Sequence, residues 1–94
     1  MKIQSMKSDL IKEISKIYRI EISDMTYLYE TVKSLDIIDT HVFNQFRNRG
    51  IPVAEKIADN IGISNEEFRE YLSNGNVDFQ KLHQALEDIV SEVK

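Results

Sequence analysis

The sequence predicts an all-α fold: a compact bundle of five to six short helices with glycine-marked corners and a helix-turn-helix-like central pair. Three observations predict it. Apolar residues recur at three- and four-residue steps along most of the chain, the period of a helix face. Gly50, Gly62, Gly75 and Pro52 are the only glycines and the only proline, and all lie between Arg49 and Phe79, where they separate segments of helical length. Two of those segments open on an apolar residue followed by a capping residue, the order found at helix starts.

From Met6 to Tyr18, the residues Met6, Leu10, Ile14, Ile17 and Tyr18 share one helix face, with Ile11 widening it and Lys7, Glu13 and Lys16 outside. Ser8 or Asp9 is the expected cap, and Met1 to Ser5 are expected to fray. Ile20-Glu21-Ile22 alternates and reads as a short extended link. Ser23 and Asp24 suit the N-cap of a second helix. Its stripe is Met25, Leu28, Val32 and Leu35, with Tyr27 and Tyr29 half exposed beside it. Asp36 to Asp39 is too short for an element and is expected to tuck Ile37 and Ile38 against the core. Asp39 or Thr40 then caps a third helix running from about His41 to Asn48, which buries Val42, Phe43 and Phe46.

Arg47 and Arg49 stand in the last turn of that helix, where cations suit the negative end of the dipole. Gly50 follows in the left-handed terminating position. Ile51 precedes proline and is held out of the helical region. Pro52 is expected to open the fourth helix as its first residue. That helix carries Val53, Ala54, Ile57, Ala58 and Ile61, and its alanines imply close approach by a neighbour. After Gly62, Ser64 and Glu67 form an S-x-x-E capping box, with Ile63 and Phe68 placed as a hydrophobic staple. The fifth helix, Asn65 to about Ser73, buries Phe68, Tyr71 and Leu72 and ends at Asn74-Gly75. Val77 and Asp78 repeat the staple-and-cap order, with Leu82 as the staple partner. The last helix has the longest stripe: Phe79, Leu82, Leu86, Ile89 and Val93.

Ninety-four residues with 41% hydrophobic and 30% charged content form one soluble helical domain, residues 1–39 contributing two helices and residues 40–94 the glycine-cornered module. The formal charge of −4 argues against a general nucleic-acid binder. The absence of cysteine excludes disulfides, thiolate metal sites and a cysteine nucleophile. The N-terminus lacks the apolar run of a signal peptide, and no segment approaches a membrane-spanning length, so a cytoplasmic location is expected.

Enzyme and cofactor motifs are missing from the pattern. His41 and His83 stand on different helices without metal-ligand spacing, and each reads as a surface or helix-edge residue. No serine has a nucleophile elbow around it, and three isolated glycines do not cradle a phosphate. No cofactor, metal or small-molecule ligand is expected. Ile57 to Tyr71 has the spacing of a helix-turn-helix, with Gly62 at the turn. Its second helix, however, would offer Glu66, Glu67 and Glu70 against Arg69 alone. From Ser64 onward Arg69, Lys81 and Lys94 face Glu66, Glu67, Glu70, Asp78, Glu87, Asp88 and Glu92. Carboxylates in that excess repel a phosphate backbone, so the geometry reads as helix packing.

The stretch from Phe46 to Ala85 resembles a short helical module found toward the N-termini of phage tail tape measure proteins. The resemblance is carried by Gly50-Ile51-Pro52, Ala58, Gly62-Ile63-Ser64 ahead of a short acidic helix, Gly75-Asn76-Val77, Phe79 at the start of the final helix and Ala85 within it. It implies a structural part in a phage or prophage tail, without a catalytic residue. The implied partners are tail tube or tail chaperone subunits, or further copies of the chain, met in the cytoplasm during assembly and in the virion tail afterwards. Tape measure proteins run to many hundreds of residues, so the chain is expected to be an excised module or a small free-standing relative. The alternative expectation is a small acidic interaction protein from a mobile element, such as an inhibitor of a host defence factor. Its candidate surface is Glu66, Glu67, Glu70, Glu87 and Asp88, with Asp78 nearby in sequence. A helix-turn-helix regulator ranks third.

Overall fold

The computed structural model describes residues 6–35 and 37–93. Among them the chain forms six helices and no strand: α1 (Met6–Tyr18), α2 (Ile22–Lys33), α3 (Thr40–Asn48), α4 (Val53–Ile61), α5 (Asn65–Ser73) and α6 (Phe79–Val93). The expectations for Met1 to Ser5, for the side chains of Met6, Lys7 and Ser8, and for Asp36 and Lys94 lie outside the described residues.

α6 and α4 form the most extensive helix pair, and the other helices pack around it. The buried face of α6 is Leu82, Ala85, Leu86, Ile89 and Val90, and α6 packs against both α4 and α1. α1 in turn packs on α2, and α4 packs on α3 and α5. One apolar core therefore runs from Leu10 in α1 to Val90 in α6. Burial of this kind supplies most of the driving force for so short a chain. Ala58 on α4 and Ala85 on α6 are both buried. The same pair of helices is tied at its rim by Lys56 to Glu92 and by Asn60 Nδ2 donating to Asp88 Oδ2 at 2.7 Å. Donating this hydrogen bond to Glu92 holds the Lys56 ammonium above its ordinary pKa.

Four helices end in the same way. At each corner the residue after a left-handed one donates its backbone N–H to the carbonyl five positions back. Ile20 reaches Ser15 at 2.9 Å, Ile51 reaches Phe46 at 3.0 Å, Ile63 reaches Ala58 at 3.0 Å and Asn76 reaches Tyr71 at 3.3 Å. This is the Schellman pattern, which satisfies carbonyls a helix end would leave bare. Three of the left-handed residues are the predicted glycines, but the first is Arg19, with φ of 57°. The helix starts are equally local. Asp39 Oδ1 accepts from the Val42 amide at 3.1 Å, and Asp78 Oδ1 accepts from the Lys81 amide at 3.1 Å. At α5, Ser64 Oγ accepts from the Glu67 amide at 3.1 Å while Glu67 Oε1 accepts from the Ser64 amide at 2.8 Å, completing the box.

Several expectations are corrected. Asp9 lies inside α1, in its first turn, and so does not cap it. Ile22 belongs to α2, leaving only Ile20 and Glu21 in the link. The N-cap of α2 is Glu21, whose side chain makes no cap bond; Ser23 and Asp24 sit within the first turn. The link is shorter than predicted because α2 begins at Ile22, ahead of the expected caps. Pro52 is the N-cap of α4 and not its first helical residue. Its φ of −84° and ψ of 57°, with the Val53 amide donating to Ile51 O at 2.9 Å, make an inverse γ-turn ahead of the helix.

The apolar stripes also shift. Tyr29 is 3% exposed and Tyr27 74%, so the two tyrosines are not alike. Leu35 lies past the end of α2 and is partly exposed, as is Ile61 at the end of α4. At the C-terminal end of α6, Val90 takes the buried position and Val93 is exposed. Ile38 is buried and Ile37 is exposed. The Ile38 amide donates to Val77 O at 2.9 Å, so the loop before α3 is pinned to the loop before α6. Ile37 instead lies over the corner at Gly75.

Candidate functional site

The residues singled out as a structural motif lie at the helix corners, apart from Ala58, which is inside α4. Gly50, Gly62 and Gly75 have φ of 81°, 87° and 75°. Ala58 is buried, Ser64 and Glu67 form the capping box, and Phe79 begins α6 half-buried. Pro52 shapes the turn into α4.

The predicted acidic surface is largely committed to internal work. Glu67 is held by its cap. Asp88 accepts from Asn60 and, at 3.0 Å, from Gln84. Glu87 Oε2 lies 3.2 Å from His83 Nε2, and Asp78 caps α6. Glu66 and Glu70 are exposed on α5, one turn apart.

A second cluster joins α2 to α6 and was only half legible. Tyr29 Oη lies 2.9 Å from His83 Nδ1. Glu87 is an acceptor, so His83 Nε2 carries the proton directed at it; in the neutral ring Nδ1 is then the acceptor, and the Tyr29 hydroxyl donates. Burial, and then the charges of Glu30 and Glu87, push the Tyr29 phenol above its ordinary pKa. Phe79 meets the Tyr29 ring edge-on with centroids 5.3 Å apart. His83 therefore does not stand alone: it bridges two helices. His41 is exposed at the start of α3. The pairing of His83 with Glu87 follows helix spacing and could be seen in advance; the link to Tyr29, 54 residues away, could not.

Two clefts flank this framework. One, of about 730 Å³, is lined by Tyr29, Lys33, Asp78, Phe79, Lys81 and His83 among others. Its lining holds two lysines and the Asp78 carboxylate. The other, of about 530 Å³, is formed by α3, α4 and α5. Its rim holds Asn44, Arg47, Asn65 and Arg69, with Glu55 as its one carboxylate, and Phe43 and Phe68 meet edge-on beneath it at 5.5 Å. Neither Arg47 nor Arg69 forms a side-chain hydrogen bond or ion pair among the described residues. Arg49, by contrast, grips Asp24 with Nε and Nη2, both at 3.0 Å.

Among the described residues, no three histidine, aspartate or glutamate side chains converge as a metal site, and no helix is long and apolar enough to cross a membrane. No protein-family model, curated protein or solved structure matches the chain.

Proposed function

We propose that the chain is a non-enzymatic helical module that acts by packing and by binding other proteins, in the manner of the module it resembles in phage tail tape measure proteins. The observation that carries this reading is the register of its corners. Gly50, Gly62 and Gly75 each end a helix in a left-handed turn, and the next helix opens on Pro52, Ser64 or Asp78. Ser64 and Glu67 cap one junction reciprocally, Asp78 caps another, and α4 packs on α6. On this reading the module contributes to tail assembly and length determination, in the cytoplasm and then inside the tail.

The acidic-inhibitor alternative draws less support, because Glu67, Asp78, Glu87 and Asp88 are engaged within the chain. The α4–α5 pair keeps a helix-turn-helix shape, but Glu66, Glu67 and Glu70 on α5 disfavour a phosphate backbone. The test is co-expression of the tagged chain with the tail tube and tail chaperone subunits encoded in the same genome. One of these should co-purify and stay bound through a salt wash, as packing contacts do. Failure of every tail subunit to associate, or a neighbourhood without tail genes, would refute the assignment.

A further inference from the structure

The cleft between α3, α4 and α5 breaks the charge pattern of the whole molecule. The chain carries a net charge of −4. This cleft instead has two guanidiniums and one carboxylate, and none of Glu66, Glu67 or Glu70 lines it. The composition follows from helix spacing. Thr40, Asn44 and Arg47 recur at steps of four and three along α3, as do Asn65, Arg69 and Leu72 along α5, so each helix turns one stripe toward the cleft. Those stripes carry amide and guanidinium donors, and the α5 carboxylates lie off them.

The cleft is also elongated. A recess of about 170 Å³ beside Gly50 and Pro52 shares Phe43, Arg47, Ala54 and Glu55 with it. Arg47 and Arg69 contrast with Arg49, which spends its fork on Asp24. A guanidinium left without an anionic partner, beside aromatic side chains, is suited to bidentate recognition of a carboxylate.

We propose that this groove binds an acidic segment of a partner protein, with carboxylates on Arg47 and Arg69 and apolar side chains toward Phe43 and Phe68. Charge complementarity and the groove's extended form select this occupant. A nucleic acid would meet the exposed acids of α5 beside the groove, and a small anion would leave most of its length unused. The inference rests on the chain being a protein-binding module, and it names the chemistry of what that module holds.

The full-length chain, isotope-labelled for NMR, is titrated with a fluorescent peptide of alternating glutamate and leucine. Shifts should cluster on Asn44, Arg47, Asn65 and Arg69. The double variant Arg47→Gln/Arg69→Gln should bind roughly tenfold or more weakly, as expected when two charge-assisted contacts are lost. Its melting temperature should hold, because both side chains are exposed and unpaired. A lysine-for-glutamate peptide should not bind. Shifts elsewhere, equal binding by the double variant, or a DNA duplex occupying the same residues in place of the peptide would overturn the proposal. So would a dimer, seen by sedimentation, that closes the groove and is dissolved by the double substitution. If the peptide binds as described but no tail subunit co-purifies, the tail assignment fails and the groove stands. If tail subunits bind the double variant as well as the original chain and the peptide does not bind, the groove fails and the assignment stands.

Discussion

The pair α1–α2 and the run α3–α6 are built from the same parts, yet they depend on different kinds of information. In α3–α6 each boundary is written within a few residues: Asp39 and Asp78 cap, Ser64 and Glu67 cap reciprocally, and three glycines stop the helices. In α1–α2 the local code is weaker. Arg19 holds a left-handed corner without being glycine, Glu21 precedes α2 with no side-chain cap, and the Ser15 hydroxyl is buried with no partner among the described residues. What holds this pair is tertiary. Leu10, Ile11 and Ile14 join the common core, Tyr29 reaches His83, and Asp24 is gripped by Arg49. A helix can be fixed by its ends or by its neighbours, and this chain uses both.

The largest expected effect tests whether the pair is part of the same cooperative unit. Ile14 is fully buried in α1. Ile14→Ala removes that packing and should cost about 2–5 kcal/mol. If the pair is integral, denaturation stays a single transition at a lower midpoint for probes in α1 and α6 alike. Two separated transitions, with α6 unaffected, would show that the glycine-cornered run folds by itself.

Next in size is the corner at Gly62. A Cβ there would meet nothing within 4 Å, so the cost of substitution comes from the backbone alone. With φ of 87°, Gly62→Val places a β-branched residue in left-handed space and should destabilise by roughly 2 kcal/mol. Thermal melting checks it, and an unchanged midpoint would mean the corner does not need glycine.

The tertiary tie of the pair comes third. Tyr29→Phe keeps the edge-on contact with Phe79 and deletes only the hydroxyl that donates to His83 Nδ1. The expected loss is about 1 kcal/mol. The imidazole ¹⁵N shifts should report a changed environment at Nδ1 with Nε2 still directed at Glu87. Shifts that do not move would place the hydroxyl elsewhere.

Arg19 offers the reverse of the Gly62 experiment. Arg19→Gly relieves a left-handed arginine but loosens the unfolded chain, two terms of about 1 kcal/mol each and opposite sign. The melting temperature should therefore stay put or rise slightly. A clear fall would mean that the arginine side chain does more for this corner than its backbone costs.

These magnitudes explain which parts of the molecule were legible in the sequence. The fold class, the α5 limits and the corner glycines are encoded in short windows, so residue type and spacing suffice. The start of α2 was misplaced because Ser23 and Asp24 are better caps than Glu21 in isolation. The helix nevertheless begins earlier, and Asp24 goes to Arg49, 25 residues away. Tyr29 was read as half exposed because helix periodicity does not distinguish core from flank once α6 supplies Phe79 and His83. The acidic residues read as a surface because nothing local says that Asn60, 28 residues away, will take Asp88. The groove went unseen because Arg47 and Arg69 lie on helices whose relative placement depends on two corners between them.

The smallest effect sharpens the comparison most, since it isolates one contact between the two halves. Arg49 joins the end of α3 to the first turn of α2 through Asp24, and the hydrogen bond from Arg49 holds the Asp24 carboxyl below its ordinary value of 3.8. A carboxyl with a depressed folded-state pKa binds protons more readily when unfolded. Its contribution is thus complete above pH 3.8 and fades as pH falls through the lower folded value. Arg49→Gln should therefore lower the melting temperature slightly near neutrality, and the gap to the original chain should close on acidification below that range. Both residues are solvent-accessible, so added salt should narrow the same gap at neutral pH. A gap that persists in acid would locate the role of Arg49 in its hydrogen bond to Gln45 O at 2.9 Å within α3, and not in a tie between the halves.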